Sequence, residues 1–296
     1  MKAAPFEYHA PETPDEALDL LAEFGDEAKV LAGGQSLVPV LALRLARFEH
    51  LVDLNRIPAL RYVQAGNGVT RIGAMTTHAT IGGNAEIRRR VPLLAEATPH
   101  IGHFQIRNRG TIGGSLSHAD PGAEYPAVAL ALDAEIILAS AHGTRTVAAA
   151  EFFTGTFTTV TEPDEVLTEV RFTGRPQGCA VLELARRHGD FALAGVACAV
   201  ELDSADRIQS LRLALFGVSS TPVRATAAEQ AVSGIAAGEL DPAEVGRAAL
   251  AGVSCVSDLH ADASYRERVA AHLAGQAVRQ ALQQARQQSL EEARHG

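Results

Sequence analysis

Aromatic side chains are scarce in this chain of 296 residues, which has no tryptophan and only four tyrosines and ten phenylalanines. A large flat ligand would find few rings to stack on, so other groups would have to supply most of its binding energy. Basic residues are also in deficit: 26 Lys and Arg stand against 35 Asp and Glu, for a formal net charge of −9. This balance argues against nucleic acid as a partner, because backbone binding needs a basic surface.

Cysteine is equally sparse. Cys179, Cys198 and Cys255 are far apart and odd in number, so they form neither a zinc nor an iron–sulfur motif and suggest no disulfide framework. We therefore predict no metal ligands in this chain. No stretch approaches the ~20 apolar residues that span a bilayer, and the first residues lack the pattern of a signal peptide. We expect a cytoplasmic protein without a membrane span.

Hydrophobic residues, at 47%, are ample for a packed core. The length predicts about two domains, since one domain commonly has ~100–200 residues. Alternating strand and helix patterns fill residues 1–175, with sub-lobes at about 1–57 and 58–175, and a Gly- and Pro-containing linker follows at 173–178. Residues 176–296 then read as two long strands, shorter helices and a long C-terminal helix.

A glycine turn interrupts the first sub-lobe between a predicted strand and a predicted helix. It consists of Ala32, Gly33, Gly34, Gln35 and Ser36, with Ser36 as the predicted N-cap of the helix. Paired glycines permit positive φ and close approach, so that successive N–H groups can converge on an anion. A tight turn without any ligand is an equally good interpretation of this motif alone.

A second glycine turn repeats the pattern some eighty residues later, as Thr111, Ile112, Gly113, Gly114 and Ser115. Two such loops in one α/β portion suggest a diphosphate held between them. The chain contains neither the G-x-G-x-x-G dinucleotide fingerprint nor a Walker motif. The predicted arrangement therefore differs from the common nucleotide folds.

Five segments, which follow one another along nearly the whole chain, resemble a known family. They are KVLAGGQSLVPVLALRLARFEHLVDLNRI (29–57), RIGAMTTHATI (71–81), QIRNRGTIGGSLSHADPGAEYPAVALALDAEI (105–136), ARRHGDFALAGVA (185–197) and ASYRERVAAHLAGQAVRQAL (263–282). The family is that of the FAD-binding medium subunits of molybdenum hydroxylases, which includes aerobic-type carbon monoxide dehydrogenase and relatives of xanthine dehydrogenase. The resemblance implies an α+β fold, with a two-lobed FAD-binding portion of the vanillyl-alcohol-oxidase/PCMH type and a C-terminal α+β domain.

The resemblance also implies roles for particular residues. The two glycine loops would bind the FAD pyrophosphate, and Glu124 would bond a hydroxyl of the flavin nucleotide. Asp120 is the alternative for that contact, although an Asp before Pro often only forms a turn. Phe191 would approach the isoalloxazine ring, or else serve as a core phenylalanine at the head of a strand. Many members have a lysine where this chain has Leu182 or Glu183, so lysine-based tuning of the flavin is in doubt.

His78 follows a predicted strand, and we expect it to be a hydrogen-bonded structural histidine. No residue is expected to act as a catalytic acid or base, because the flavin carries the redox chemistry. Partner subunits would carry the molybdenum cofactor and two [2Fe–2S] clusters, in an αβγ heterotrimer or its dimer. The substrate and the electron acceptor stay open. A stand-alone flavin oxidase or reductase, and a non-catalytic protein whose glycine loops are only turns, are the alternatives.

Overall fold

The computed structural model describes residues 2–295, with side chains through residue 291. The N-terminal lobe is a three-stranded parallel sheet in the order β1-β3-β2. Its elements are β1 (Glu7–His9), α1 (Pro14–Phe24), β2 (Ala28–Leu31), α2 (Leu37–Ala42) and β3 (His50–Asp53). Parallel strands place their carboxyl ends at one edge, which brings the loop after β2 beside the turn after β3.

A second lobe is built on a five-stranded antiparallel sheet in the order β4-β5-β10-β6-β7. The sheet strands are β4 (Val63–Gly66), β5 (Val69–Gly73), β6 (Glu135–Ser140), β7 (Gly143–Ala148) and β10 (Val166–Thr173). A small hairpin pairs β8 (Phe153–Gly155) with β9 (Thr158–Thr159). The helices are α3 (His78–Gly83), α4 (Ala85–Arg90), α5 (Pro92–Ala97), α6 (Phe104–Arg107), α7 (Ile112–His118), α8 (Glu124–Ala131) and α9 (Ala149–Phe152).

The C-terminal part is a four-stranded antiparallel sheet in the order β11-β12-β13-β14. The strands are β11 (Gly178–Leu184), β12 (Ala194–Leu202), β13 (Ile208–Phe216) and β14 (Val223–Arg224). Three helices follow: α10 (Thr226–Val232), α11 (Pro242–Ala248) and α12 (Ala263–His295). Together, helices and largely antiparallel sheets confirm the α+β class predicted from the sequence.

Small residues allow α12 to lie directly on this sheet. Its buried face is a stripe of fully buried alanines that includes Ala270, Ala274 and Ala277. At Gly178 of β11, a Cβ atom would lie only 1.9 Å from the carbonyl oxygen of Ala281. The helix therefore approaches the sheet to a distance that only glycine and alanine permit.

The core of the second lobe continues into the C-terminal part. After Glu124 and Tyr125, helix α8 is apolar on all sides, and it is buried along its whole length, as expected of a helix inside a core. One cluster of buried side chains joins Ile72 and Leu94 of the second lobe to Val181 and Phe216 of the C-terminal sheet. The two parts are therefore joined by packing as well as by the chain.

Local signals account for several of these boundaries, with some departures. The Thr13 hydroxyl accepts from the N–H of Glu16 at the start of α1, as the capping box predicts, but the Glu16 carboxylate accepts from the N–H of Glu12. Ser36 is the N-cap residue of α2, as predicted, but its backbone is helical and its side chain makes no capping bond. The predicted strand at 191 begins only at Ala194. Within residues 2–295, no helix combines the length and the hydropathy needed to cross a bilayer.

Candidate cofactor site

The first glycine loop leaves the carboxyl end of β2 and is anchored from β3. The Nδ2 group of Asn55, in the turn after β3, donates to the carbonyl of Ala32 at 2.7 Å and to Oδ1 of Asp53 at 2.6 Å. Gly34 adopts φ +74°, a left-handed conformation that glycine accepts without cost. The side chain of Gln35 folds back and donates to the carbonyl of Gly33 at 3.2 Å.

The two glycine loops lie against each other. A Cβ atom on Gly33 would stand 2.3 Å from the carbonyl oxygen of Arg109, and one on Gly114 would stand 3.3 Å from Cβ of Ala32. Gly113 is equally enclosed, since its Cβ would lie 2.6 Å from Cβ of Ala74. At Gly33 and Gly113 the direct reason for glycine is therefore contact between protein segments, and not the approach of a ligand that the motif suggested.

Unpaired N–H groups are concentrated in the first loop. Within residues 2–295, the N–H groups of Gly33, Gly34, Gln35 and Ser36 donate to no protein acceptor. Gly34, Gln35 and Ser36 are only partly buried, so their N–H groups are open to solvent or to a ligand. Donors arranged in this way can bind the oxygens of an anion.

Most N–H groups of the second loop already donate to protein acceptors. Thr111 is the N-cap of α7, and its hydroxyl accepts from Gly114 N–H at 3.1 Å. Gly113 N–H donates to Ala74, Ile112 N–H donates to Thr76, and Ser115 N–H donates to Thr111. The Ile112 side chain is 1% exposed and belongs to the core. The donors that remain are the N–H of Thr111 and the hydroxyl of Ser115, so the two loops are not equivalent.

The predicted second glycine turn is the N-terminal turn of helix α7, since Thr111 is the N-cap and residues 112–115 are helical. The helix leads from there to a pair of carboxyl groups. Seven helical residues span about 10 Å, and the helix ends in a left-handed residue, Ala119. The Oδ1 atom of Asp120 then accepts from Gly122 N–H at 2.8 Å, which is the turn-forming role weighed for an Asp before Pro. Burial raises the pKa of Asp120 above its ordinary value.

Glu124 is the first residue of α8 and is only 6% exposed. The backbone N–H of Glu124 donates to its own carboxyl group, and this bond lowers the pKa of the group. Burial, with a smaller contribution from the charge of Glu183, raises its pKa to about 8. The side chain is therefore protonated at neutral pH, and it can donate a hydrogen bond as well as accept one.

A second buried carboxylate lies near Glu124. The side chain of Glu183 is 6% exposed; its Oε1 atom lies 3.5 Å from Nδ1 of His100, and its Oε2 atom has no partner within the described residues. The hydrogen bond with Glu183 raises the pKa of His100. Sequence reasoning identified Glu183 only as a replaced lysine and missed His100, because these residues are 83 positions apart and nothing local links them.

Aromatic rings flank the Asp120 turn. Phe191 is 59% exposed and lies outside any strand, so its interpretation as a core phenylalanine is wrong. A Cβ atom on Gly122 would lie 3.3 Å from Cβ of Phe191, which places this ring next to the turn. The rings of His118 and Phe157 also pair there, with centroids 4.9 Å apart. The contact between His118 and Phe157 is not visible in the sequence, because it depends on the hairpin β8–β9.

His78 lies under the second loop. It is 5% exposed, its ring lies about 3 Å from the Cβ position of Gly110, and it contacts the Tyr125 ring edge-on at 5.0 Å. By distance and angle both ring nitrogens lack a hydrogen-bond partner within the described residues, so the expected hydrogen bonding is limited to the approach of the Thr111 backbone. Burial lowers its pKa to about 4, so the ring is neutral at neutral pH.

Comparison with known proteins accounts for nearly the whole chain. The family described as "FAD binding domain in molybdopterin dehydrogenase" matches residues 4–172, and the "CO dehydrogenase flavoprotein C-terminal domain" matches residues 180–281. The carbon monoxide dehydrogenase medium chain of Hydrogenophaga pseudoflava is 41% identical over 280 residues, which are 94% of this chain and 96% of that one. The 6-hydroxypseudooxynicotine dehydrogenase complex subunit alpha of Paenarthrobacter nicotinovorans is 41% identical, over 91% of this chain and 92% of that one.

Solved structures agree with these sequence matches. A chain of the carbon monoxide dehydrogenase of Hydrogenophaga pseudoflava superimposes with a TM-score of 0.93 at 40% identity, covering 96% of this chain and 99% of that one. A chain of quinoline 2-oxidoreductase from Pseudomonas putida 86 superimposes with a TM-score of 0.91 at 34% identity, with the same coverage. The unpaired donors of the first loop, beside Thr111 and Ser115, fit the phosphates of FAD. The chain therefore belongs to the family of FAD-binding medium subunits of molybdenum hydroxylases.

Proposed function

We propose that this chain holds FAD between its two glycine loops and relays electrons within a molybdenum hydroxylase complex. Electrons would arrive from [2Fe–2S] clusters of a small subunit and leave to an external acceptor. The flavin supplies the redox chemistry when bound, and the protein supplies position and electrostatics. The observation that carries the proposal is the run of four unpaired N–H groups from Gly33 to Ser36, next to the second loop.

In this proposal the two loops have different tasks. The first loop, Ala32 to Ser36, binds phosphate oxygens through its N–H groups. In the second loop, Thr111 and Ser115 add an N–H and a hydroxyl, while Gly113 and Gly114 let the loop lie against Ala74 and Ala32. No cationic side chain is required, because backbone donors supply the partial positive charge.

We assign the hydroxyl groups and the isoalloxazine ring of FAD to the C-terminal end of α7. The protonated carboxyl of Glu124 would bond a hydroxyl group, and the free Oδ2 of Asp120 is the alternative. Phe191 would contact the isoalloxazine, since its exposed ring lies beside the Asp120 turn. A ring that is 59% exposed in the cofactor-free chain has area left to bury against a flat ligand.

The partners follow from the relatives. The similar proteins are named as a medium chain and as a subunit alpha, so they are parts of larger complexes. We infer that this chain likewise has a large molybdenum subunit and a small iron–sulfur subunit as partners, in an αβγ heterotrimer or its dimer. The three cysteines are unpaired thiols, two of them buried, which is consistent with clusters on a partner and with a reducing, cytoplasmic location. We place the boundary between the FAD-binding and C-terminal domains at residues 175–176.

Placing a negative charge at the proposed phosphate site tests the role of the second loop. Ser115→Asp puts a carboxylate where the proposal places a phosphate, so FAD titration of the flavin-free chain should give at least a tenfold weaker Kd. Ser117→Asp is the matched control, because Ser117 is exposed on the same helix, and its Kd should stay unchanged. Equal affinities for the two variants would contradict the assignment of the second loop.

The electron relay needs a separate experiment. The chain purified alone should show a flavin spectrum and leave organic substrates unoxidised. The same chain co-expressed with its molybdenum and iron–sulfur subunits should have its flavin reduced by the substrate of the complex. Substrate turnover by the isolated chain would instead support a stand-alone flavin oxidase, and a colourless chain that takes up no FAD would leave the loops as mere turns.

A further inference from the structure

A cluster of two histidines and a glutamate lies in the N-terminal sheet, outside the cofactor site. Glu7 and His9 are two residues apart on β1 and therefore point to the same face. The parallel register pairs Glu7 with His50 of β3, which places all three side chains on that face. Strand alternation and register thus bring together residues that are about forty positions apart in the chain.

The three side chains are close enough to share one metal ion. The Nε2 atom of His9 lies 3.1 Å from Nδ1 of His50, and the same Nδ1 lies 3.6 Å from Oε2 of Glu7. One ligand atom from each residue can be chosen so that all three lie within 4.8 Å of one another. Two donors bound tetrahedrally to zinc at ~2.1 Å are about 3.4 Å apart, so only small movements are needed.

Packing holds the imidazole rings in position. The Phe24 ring stacks on His50 with centroids 3.8 Å apart and planes 7° from parallel, and it lies 5.1 Å from the His9 ring. The His50 side chain is 13% exposed, whereas that of Glu7 is 75% exposed. A largely buried and a partly buried imidazole, with a carboxylate at the solvent side, form a preorganised site with an open approach.

The surrounding charge favours a cation. The carboxylates of Glu27 and Glu49 also come within 4.8 Å of a ring nitrogen of His50. A groove that begins at His9 continues along acidic side chains of α1, including Glu16 and Glu23. Within residues 2–291, no arginine or lysine forms an ion pair with Glu7, so its carboxylate is available to a metal.

We propose that Glu7, His9 and His50 form a binding site for a divalent transition-metal ion, with Zn²⁺ as the best match. Two imidazoles and one carboxylate are a donor set that zinc takes in proteins, with water or a further carboxylate as the fourth ligand. Mg²⁺ and Ca²⁺ are hard cations that select oxygen donors, so they fit the site poorly. Bound metal would tie the three-residue strand β1 to β3 and so fasten the start of the chain to the lobe that carries the first glycine loop.

Zinc binding to the full chain tests the proposal directly. The protein should be purified without a histidine tag, treated with EDTA, freed of chelator and titrated with Zn²⁺ against a chromophoric chelator. We expect one Zn²⁺ per chain, a higher Tm with Zn²⁺ than without, and no comparable effect of Mg²⁺. Loss of one ligand in His9→Gln or Glu7→Gln should weaken binding by at least the ~10–100-fold that loss of a supporting contact costs.

Controls separate a lost ligand from a lost fold. His50→Phe keeps a ring to stack on Phe24 and should abolish zinc binding while the metal-free Tm stays close to wild type. His142→Gln changes an exposed histidine in the β6–β7 turn and should bind zinc like the wild type. The proposal is overturned if the wild type binds no zinc, if His9→Gln and Glu7→Gln bind it with wild-type affinity, or if Mg²⁺ binds equally well. FAD affinity does not enter this test.

Discussion

The protonation state of Glu124 leads to a measurable pH dependence of stability. Its pKa is about 8 in the folded chain and ordinarily 4.5, because the carboxyl group is buried and lies near Glu183. Between pH 6 and pH 7 the folded chain therefore keeps this proton, whereas the unfolded chain has already released it. Stability falls with rising pH wherever the native state binds more protons, by about 1.4 kcal/mol per proton and pH unit.

Glu124→Gln removes this titration while keeping the size and the polarity of the side chain. We expect the unfolding free energy of the wild type to fall by about 1.4 kcal/mol more between pH 6 and pH 7 than that of the variant. Urea denaturation of the flavin-free chain, followed by circular dichroism at both pH values, measures the difference. Glu151→Gln is the control, because Glu151 is exposed on α9 and the variant should keep the wild-type pH dependence.

Two outcomes would refute this reasoning. If wild type and Glu124→Gln lose stability in parallel between pH 6 and pH 7, Glu124 is not the group that keeps a proton. If Glu151→Gln also loses the pH dependence, the effect does not depend on burial. The same pair of measurements with FAD bound tests the proposed contact: a flavin hydroxyl that accepts from the protonated carboxyl raises the pKa of Glu124, so the pH dependence should extend to higher pH.

Two further predictions concern packing and a buried charge. Gly33→Ala should lower the Tm and weaken FAD binding, because its Cβ would lie 2.3 Å from the Arg109 carbonyl, whereas Gly66→Ala, with open space around it, should leave both unchanged; equal behaviour of the two variants in thermal melts and FAD titrations would contradict the packing argument. Arg266 is 3% exposed and donates to the Leu193 and Gly217 carbonyls, so Arg266→Met should cost about 3 kcal/mol in urea denaturation. Exposed Arg268→Met should cost at most about 0.5 kcal/mol, and equal losses in both variants would show that burial of Arg266 is not the cause.

Local patterns predicted much of the secondary structure because their causes are local. The β6–β7 hairpin, the parallel β2 and β3 and the long helix α12 lie where alternation, glycine turns and helical spacing indicate. Ends of elements were less predictable: residues 191–193 continue the apolar pattern of β12, yet they form the segment that carries Phe191 against Gly122. The carbonyl of Ala192, at 3.2 Å from the Cβ position of Gly122, belongs to that contact, and no sequence pattern encodes it.

The candidate site, too, was only partly predictable from the sequence. The sequence by itself determined that two glycine loops, the first between a strand and a helix, were the feature to examine, and its resemblance to one family identified FAD. Which N–H groups are available was decided only by tertiary structure: Gly113 N–H bonds to Ala74 from another element, while the N–H groups of Gly33 to Ser36 have no protein partner within residues 2–295. The same holds for the proton on Glu124 and for the meeting of His9 with His50. Burial and contacts between distant segments depend on the whole packed chain, whereas turns and periodicity depend only on neighbours in sequence.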